Sequence, residues 1–357
     1  MHSEIGSEFW INNSNIPKKS NELPSWLENF GHVTLTTSGR GALSLLLEQV
    51  NPSLRRVLLP AYICESVILP FEKAGFELSY YNVDKQFTPD DIELIKSANI
   101  GIFLHMGYFG YQTNAILAEI VSELKSKSVI VIEDVTHTLF SNHNLIVNDF
   151  VFGSIRKWFG TPSGGFMASD KNMNYELPND SSDFIDLRVR SLNEKFEYII
   201  SRNISKKATY LSGFKAAEQI LDEDVKAFKI DEISENLIQN LDYELLQNRR
   251  RTNYEALING LDDLSGIEVI FSKLENNITP FFFPIYIKNN RDELRRYLTK
   301  QDIYCPVHWP ISKQLKGHIS NGIKEIYNSI LSIPCDQRYL VEDMTRVTDG
   351  IRKFVKE

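Results

Sequence analysis

Short apolar runs of strand length alternate with helical stretches through the first half of this chain. The first helical pattern follows Ser38-Gly39 and repeats its apolar residues at helical spacing. The runs that predict strands are Arg56 to Leu59, Leu78 to Val83, Ile100 to Leu104, Val129 to Ile132 and Phe150 to Phe152. This alternation predicts an α/β fold with a mostly parallel sheet that helices cover on both faces. A ligand is expected in the loops beyond the carboxyl ends of the strands.

The pattern changes after Asp170, where the sequence becomes polar and helical. Leu237 to Leu261 is predicted to form one long helix. Beyond it, the predicted elements are strands at Ile267 to Phe271 and Phe281 to Ile287 and helices at Arg291 to Lys300 and Tyr339 to Val355. We therefore predict two domains. Residues 1–245 form an N-terminal arm and a large domain, and residues 246–357 form a smaller C-terminal α+β domain.

Composition excludes several classes of protein. The 357 residues are 42% hydrophobic and 24% charged, as in ordinary soluble domains, and exceed the usual size of a single core. A net charge of -8 gives no basic face for nucleic acid. The cysteines Cys64, Cys305 and Cys335 are too few and too scattered to predict disulfides or a metal site. No signal peptide or membrane span is recognised in the sequence, so we expect a cytoplasmic protein without a membrane partner.

The segment V-I-V-I-E-D-V-T-H at 129–137 places three polar side chains where a buried strand ends. Glu133, Asp134 and His137 would lie at the carboxyl edge of the sheet, where ligand loops occur. A simpler explanation is that Asp134 caps the following helix and His137 is an ordinary loop histidine. The segment alone leaves both interpretations open.

The next predicted strand leads into G-S-I-R-K-W-F-G-T-P-S-G-G at 153–165. This places Lys157 in a turn rich in glycine and hydroxyl groups. Most lysines are simply solvated. A lysine at the end of a buried strand, beside Trp158 and Phe159, would be partly desolvated, and its amine would then be a usable nucleophile.

The third segment, T-T-S-G-R-G-A-L at 36–43, is a glycine-containing turn at the start of a helix. Free backbone N–H groups and the helix dipole suit a phosphate there, although a simple helix cap is the commoner explanation. The turn matches neither the P-loop nor the G-x-G-x-x-G pattern. Together, a phosphate cradle, a carboxylate and an amine on different strand-to-helix connections predict a site for pyridoxal 5'-phosphate (PLP).

The order and spacing of these segments resemble the DegT/DnrJ/EryC1/StrS family of sugar aminotransferases, which have PLP fold type I, the aspartate aminotransferase fold. The resemblance covers most of the chain. The segments that carry it are S-G-R-G-A-L at 38–43, V-L-L-P-A-Y-I-C at 57–64, Y-Y-N-V-D at 80–84, H-M-G-Y-F-G at 105–110, I-E-D-V-T-H at 132–137, S-I-R-K-W-F-G-T-P-S-G-G at 154–165 and L-S-I-P at 331–334.

The resemblance implies specific roles in the site. Lys157 would form the Schiff base with the cofactor, Asp134 would pair with the pyridine nitrogen, and His137 would lie near the phenolic oxygen. The phosphate would lie at the Gly39 turn, held by the amides of Arg40 and Gly41. It also implies a homodimer with a shared active site that transfers an amino group, with L-glutamate as the expected donor. The acceptor would be a nucleotide-linked keto sugar used for polysaccharide, lipopolysaccharide or antibiotic synthesis.

Three positions depart from the family pattern. Arg40 stands where members usually have threonine, and we expect its guanidinium to bind the phosphate as a charged fork. Cys64 stands where members have an aromatic residue that stacks on the cofactor ring. If the chain stays extended there, Tyr62 would supply that stacking face. Phe152 stands where a serine often occurs, so Ser154 is expected to supply a hydroxyl near the phosphate.

Other residues have weaker assignments. Tyr108 and His308 are candidates for substrate contacts. Arg249 to Arg251 are expected to form a solvated helix face. Glu8-Phe9-Trp10 is expected to be an arm that packs on the body of the protein or on a second subunit.

Three alternatives stay open. The same family contains PLP-dependent dehydratases of sugars, although Lys157 favours transamination because one known type of dehydratase lacks that lysine. A catalytically silent relative, acting as a binding or regulatory protein, is suggested by Arg40 and Cys64. An unrelated doubly wound nucleotide-sugar enzyme without PLP is disfavoured because the Rossmann glycine pattern is missing.

Overall fold

The computed structural model describes residues 4–12, 23–142, 146–171, 175–180, 182–262 and 264–356. Its strands are β1 (Ile5–Gly6), β2 (His32–Thr36), β3 (Arg56–Pro60), β4 (Glu77–Tyr81), β5 (Ile102–Met106), β6 (Ile130–Asp134), β7 (Phe150–Ser154), β8 (Gly165–Ser169), β9 (Ile267–Val269), β10 (Phe283–Ile287), β11 (Ile303–Tyr304) and β12 (Ile330–Ile333). Its α-helices are α1 (Ser25–Glu28), α2 (Gly39–Gln49), α3 (Glu65–Lys73), α4 (Ile92–Ser97), α5 (Ala118–Ser126), α6 (Phe184–Ser201), α7 (Ile204–Glu223), α8 (Glu232–Gln239), α9 (Tyr243–Leu261), α10 (Arg291–Thr299), α11 (Asn321–Ser329) and α12 (Val341–Lys356).

A seven-stranded sheet organises the larger part of the chain. Its strand order is β2-β8-β7-β6-β5-β3-β4. The strands from β7 to β4 pair in parallel, whereas β8 is antiparallel to both β7 and β2. The sheet is therefore mixed but mostly parallel, and the predicted α/β fold class is confirmed.

The central strands are apolar because helices cover both faces of the sheet. Every residue of β5 is buried, and the last four residues of β6 are buried too. Parallel pairing puts the carboxyl ends of these strands at one edge. In that register Asp134, which ends β6, lies opposite Met106 of β5 on one side and Phe152 of β7 on the other. The residues of the predicted site thus share one edge.

A second, antiparallel sheet of order β12-β10-β9 belongs to the C-terminal part of the chain. It shares an apolar core with α9, α10 and α12, in which Leu257, Leu298 and Ile351 are buried. β1 pairs in parallel with β11, so the N-terminal strand joins this part. The boundary that we predict after residue 245 falls in the first turn of α9 and stays a prediction. No helix among the described residues has the length and apolarity that crossing a bilayer requires.

Two features differ from the sequence-based prediction. The stretch from Leu237 to Leu261 is two helices, since α8 ends at Gln239 and α9 begins at Tyr243. The break is set by Asp242, whose carboxylate accepts a hydrogen bond from the amide of Leu245 at 2.9 Å and so caps α9. The edge strand β2 and its neighbour β8 are also not predicted, because such short strands carry little periodic signal.

Gly165 allows β8 to approach the start of α2. A Cβ at this position would lie 2.1 Å from the carbonyl carbon of Ser38 and 2.4 Å from the amide nitrogen of Gly39. Real Cβ atoms do not come so close to backbone. The glycine therefore fixes the distance between α2 and the connection from β7 to β8.

Gly165→Ala should lower the free energy of unfolding by about 1–3 kcal/mol, because backbone on both sides must shift to admit the methyl group. Chemical denaturation measures the change. Gly322→Ala in α11 is the matched control, since the nearest atom to its new Cβ is the Ser320 Oγ at 3.8 Å. Equal unfolding free energies for the two variants would contradict the packing argument.

Candidate active site

A cavity of about 570 Å³ opens at the carboxyl edge of the large sheet. The N-terminal arm and the loop after β11 also contribute to its wall. Eight of the eleven residues that the sequence predicts for the site line this cavity: Gly39, Arg40, Cys64, Asp134, His137, Ser154, Lys157 and His308. The other three, Gly41, Tyr62 and Tyr108, are not among the lining residues.

Lys157 ends a short 3-10 helix, Ile155–Lys157, that directly follows β7. Its side chain is half-buried, and it forms no hydrogen bond or ion pair with any residue that the structure describes. The positive charge of Lys157 acts on Asp134, His137 and His308, all within the same cavity. The amine is therefore available to a ligand.

Asp134 is a buried carboxylate at the end of β6. Its Oδ1 accepts a hydrogen bond from the amide of Thr136 at 2.8 Å. Burial raises the pKa of Asp134 above its ordinary value, and the hydrogen bonds to Thr136 and the charge of Lys157 only partly oppose this. Among the described residues it forms no ion pair. The carboxylate is thus suited to a cationic N–H group supplied by a ligand.

Thr136 ties the end of β6 to the turn that carries Lys157. Its Oγ1 accepts from the amide of Ser154 at 3.1 Å, and its carbonyl accepts from the indole N–H of Trp158 at 2.7 Å. Both bonds are buried. These bonds join the residues next to Asp134 to the residues on either side of Lys157. They therefore fix the position of Asp134 relative to Lys157.

His137 offers one unsatisfied donor to the cavity. Its Nδ1 accepts a long hydrogen bond of 3.4 Å from the amide of Phe109, which places the proton on Nε2. Nε2 is buried and has no protein partner among the described residues. Burial, followed by the charges of His308 and Lys157, holds the pKa of His137 well below its ordinary value. The imidazole is therefore neutral and its Nε2–H is available to an oxygen.

The amino end of α2 faces the cavity as predicted, but its amides are used differently. The amide of Gly41 donates to the Ser38 Oγ at 3.0 Å and is thereby occupied by the cap. The amides of Gly39 and Arg40 donate to no acceptor in the described part of the chain. Ser154 lies beside them, since its Cβ is 3.2 Å from where a side chain on Gly39 would begin. A phosphate would therefore bind the amides of Gly39 and Arg40, and not that of Gly41.

The guanidinium of Arg40 is not free to act as a phosphate fork, contrary to the expectation. It pairs with Glu218 at 2.9 Å and with Asp222, both on α7. Arg156 forms two hydrogen bonds with the same Glu218 carboxylate, at 2.6 and 3.1 Å. Burial raises the pKa of Glu218, but Arg156 and Arg40 outweigh it and hold that pKa at about 2. Two arginines and two carboxylates form a network of ion pairs at this wall.

Tyr62 does not supply the predicted stacking face. It is fully buried among the rings of Phe87, Tyr108, Tyr327 and Trp309, at centroid distances of 4.8–5.7 Å. The hydroxyl of Tyr108 donates to the Tyr62 carbonyl at 2.6 Å, so Tyr108 also belongs to this aromatic core. Burying both rings in the core removes more apolar surface from water than lining a polar cavity would. Within residues 57–64, Cys64 is the residue that lines the cavity.

The C-terminal part contributes two neighbouring rings to the site, His308 and Trp309. His308 Nδ1 lies 2.8 Å from the Ser332 Oγ, and burial lowers the pKa of His308 to about 3. The ring of Trp309 packs on that of His137, with a centroid distance of 5.1 Å. Neither histidine belongs to a metal-ligand cluster, and no group of three potential ligands occurs within the described ranges.

Arg250 differs from the predicted solvated face of Arg249 to Arg251. It is almost fully buried and stacks on the Trp158 ring. Its guanidinium donates to the carbonyls of Trp158, Pro280 and Phe281 at 2.9–3.0 Å. The charge of three successive arginines predicts a solvated helix face. The burial of Arg250 could not be predicted, because its hydrogen-bond partners are distant in sequence. Arg250 fixes the backbone next to Lys157.

No family model and no curated protein matches the sequence. Solved structures do match. PseC of Helicobacter pylori, an aminotransferase of pseudoaminic acid biosynthesis, is 15% identical, with a TM-score of 0.70 over 100% of this chain and 99% of that one. The putative sugar aminotransferase Spr1654 of Streptococcus pneumoniae, in its PLP form, is 15% identical, with a TM-score of 0.68 over 99% of each chain. DesI, in the presence of its TDP-sugar product, is 14% identical, with a TM-score of 0.68 over 96% of this chain and 87% of that one.

These structures share one fold with this chain along almost its whole length. Together with the seven-stranded mixed sheet, they confirm the predicted PLP fold type I. At this level of identity the likeness concerns the fold.

Asp134→Asn should raise the free energy of unfolding of the cofactor-free protein at neutral pH, because burial penalises the ionised carboxylate and asparagine keeps an acceptor for the Thr136 amide. The folded carboxyl binds a proton more tightly than the unfolded one. Wild-type stability therefore falls as the pH rises from about 3.8 through the raised folded-state pKa.

The stability gain of Asp134→Asn should grow over the same pH window, which denaturation at a series of pH values would measure. Asp170→Asn, at an exposed position, is the control and should show no such gain. A gain confined to acidic pH would contradict the assignment of a buried, destabilised carboxylate.

Proposed function

We propose that this protein binds PLP through Lys157 and transfers an amino group from an amino acid to a nucleotide-linked keto sugar. One observation carries the proposal. A single cavity brings together an unpaired amine, a buried carboxylate, an orphaned imidazole N–H and free helix amides, on three different connections of the fold. These are the groups that a PLP site requires.

Each part of the cofactor has a chemically matched partner. The amides of Gly39 and Arg40 at the start of α2 suit the phosphate, and the Ser154 hydroxyl is adjacent. The unpaired carboxylate of Asp134 suits a protonated pyridine nitrogen. The Nε2–H of His137 suits the phenolic oxygen, and the Lys157 amine suits the aldehyde carbon.

When bound, PLP supplies an electron sink for the carbanion formed at the α-carbon of the amino donor. The protein supplies position and protons. Asp134 holds a positive charge on the ring nitrogen, and Lys157 is the cavity base that moves a proton at the donor's α-carbon. His137 and His308 have low pKa values, so they stay neutral and act through hydrogen bonds. Thr136 and Arg250 hold the turn of Lys157 in place.

The choice of a sugar acceptor rests on the matched structures and on the resemblance of the motifs. Of the matched proteins, DesI was solved with its TDP-sugar product and PseC acts in pseudoaminic acid biosynthesis. By analogy we propose a nucleotide-linked keto sugar as acceptor, L-glutamate as donor and a homodimer as the working form, in the cytoplasm. The product would enter polysaccharide, lipopolysaccharide or antibiotic sugar synthesis.

A catalytically silent relative is the second candidate, and one observation favours it. The cavity offers Cys64 where a stacking ring is expected, Phe152 where a serine is expected, and an Arg40 side chain that is occupied by carboxylates. Weak cofactor binding would follow from these three residues. A sugar dehydratase is disfavoured by the presence of Lys157.

The wild-type protein mixed with PLP should develop a visible absorbance band that L-glutamate bleaches. Lys157→Ala should show neither change, because the amine that joins the cofactor is gone. Lys171→Ala, at an exposed position outside the cavity, is the control and should behave as wild type. Absence of the band in the wild type would favour the silent relative and reject the aminotransferase.

Cys64→Phe should tighten PLP binding about threefold to tenfold, since a stacked aromatic pair contributes about 0.5–1.5 kcal/mol. Titration of the cofactor by absorbance or fluorescence gives the dissociation constant. Cys64→Ala is the matched control and should change it little, because a thiol adds little to the ring face. Weaker binding by Cys64→Phe, with an unchanged melting temperature, would show that the ring lies elsewhere.

A further inference from the structure

The N-terminal arm turns into the cavity immediately after β1. Glu4 is fully buried and pairs with Lys195 and, at 2.9 Å, with Lys207. Gly6 then has a φ of +81°, and a Cβ there would lie 2.1 Å from the Tyr304 carbonyl oxygen. This turn, which no other residue fits, directs Ser7, Glu8 and Phe9 along the cavity wall.

The backbone of the arm is fixed, but the Glu8 side chain is not. Arg338 donates to the Glu8 carbonyl at 2.7 Å and to the Ser7 carbonyl at 3.3 Å, and its guanidinium stacks on Phe9. Asp336 balances the charge of Arg338. The Glu8 carboxylate itself accepts no hydrogen bond from a described residue, and Arg188 is the cation within 4.0 Å of it. Glu8 is therefore loosely held at a defined position.

Arg188 is a buried cation that has no hydrogen-bonded carboxylate among the described residues. Its Nε and Nη2 donate to the carbonyls of Pro162 and Thr161 at 3.1 and 3.4 Å. Its Nη1 is 4.0 Å from the Glu8 Oε2, beyond hydrogen-bonding distance. Burial and the charge of Arg156 lower the pKa of Arg188 to about 10. A guanidinium buried in this way is stabilised by any carboxylate that completes its hydrogen bonds.

Arg156 adds a second unsatisfied donor on the same wall. Its Nη atoms bind Glu218, but its Nε is buried without a partner in the described structure. Across the described cavity wall, seven basic side chains face four carboxylates. This excess of positive charge contrasts with the net charge of -8 of the whole chain. The cavity is thus built to attract an anion.

We propose that Arg188 and Arg156 form a carboxylate subsite, which Glu8 occupies loosely in the free protein, and that the carboxylate of the amino donor displaces Glu8 from it. The proposal rests on the proposed function. A carboxylate fits because the occupant is already one and because the planar fork of arginine matches it. The carbonyls that hold Arg188 belong to Thr161 and Pro162, in the loop that follows Lys157.

Arg188→Gln in the PLP-loaded protein should raise the concentration of L-glutamate needed for half-maximal bleaching about tenfold to a hundredfold, the equivalent of one or two charged hydrogen bonds. The rate at saturating glutamate should change little, because Arg188 positions the donor and does not move its proton. Glu8→Gln should lower that concentration severalfold, since the internal competitor is weakened. Arg190→Gln, on the same helix but exposed, is the control and should match wild type.

A second measurement separates this inference from the proposed function. Succinate binding to the cofactor-free protein, followed by calorimetry, should weaken in Arg188→Gln and tighten in Glu8→Gln. If that pattern holds but glutamate never bleaches the wild type, the subsite stands and the function is wrong. If bleaching occurs and Arg188→Gln behaves like Arg190→Gln, the subsite is wrong. Unchanged succinate binding in Arg188→Gln would overturn it as well. Should Arg188→Gln fail to fold, an unchanged Glu8→Gln would reject the subsite by itself.

Discussion

The parallel pairing of β6 with β7 is the constraint on which the rest of the site depends. It sets Asp134 opposite Phe152, so the turn that carries Lys157 begins three residues beyond that pair, at Ile155. Thr136 then bridges the ends of the two strands through buried hydrogen bonds. The distance between the Asp134 carboxylate and the Lys157 amine is therefore set by the backbone hydrogen bonds between β6 and β7. Surface substitutions do not change these bonds. The arm, the loop with His308 and the arginine wall are arranged around this fixed pair. The arginine wall consists of Arg40, Arg156, Arg188, Arg250 and Arg338.

Periodicity and strand ends were sufficient to predict the five strands that pair in parallel, β3 to β7, but not β2 and β8. Asp134, His137 and Lys157 could be predicted because a strand end is a local property of the sequence, whereas Ser154 was predicted from the resemblance to the family. The orientation of Tyr62 could not, since four rings from distant segments decide which way it points. The same limit applies to the side chain of Arg40. Its carboxylate partners lie on α7, about 180 residues later.

The arginine wall shows how neutralisation and residual charge coexist in one cavity. Glu218 binds both Arg40 and Arg156, and Asp336 binds Arg338, so these cations are structurally occupied. Arg250 has no carboxylate partner among the described residues, but backbone carbonyls, the Gln337 side chain and the Trp158 ring surround it. Arg188 stands apart, because two of its nitrogens are bonded and the third faces a distant carboxylate. We expect an anionic ligand to bind where the charge of an arginine is incompletely neutralised, as it is at Arg188.

The pairing of β1 with β11 has a consequence for the order in which this protein can fold. Residues 6–9, which form one wall of the cavity, are held in place by Tyr304, Arg338 and Tyr339. During synthesis the arm leaves the ribosome long before these partners exist. The large sheet can assemble first from neighbouring segments, whereas the wall must wait until nearly the entire chain has emerged. Until then the nascent chain has a sheet but an unfinished pocket, because the wall that residues 6–9 form is missing.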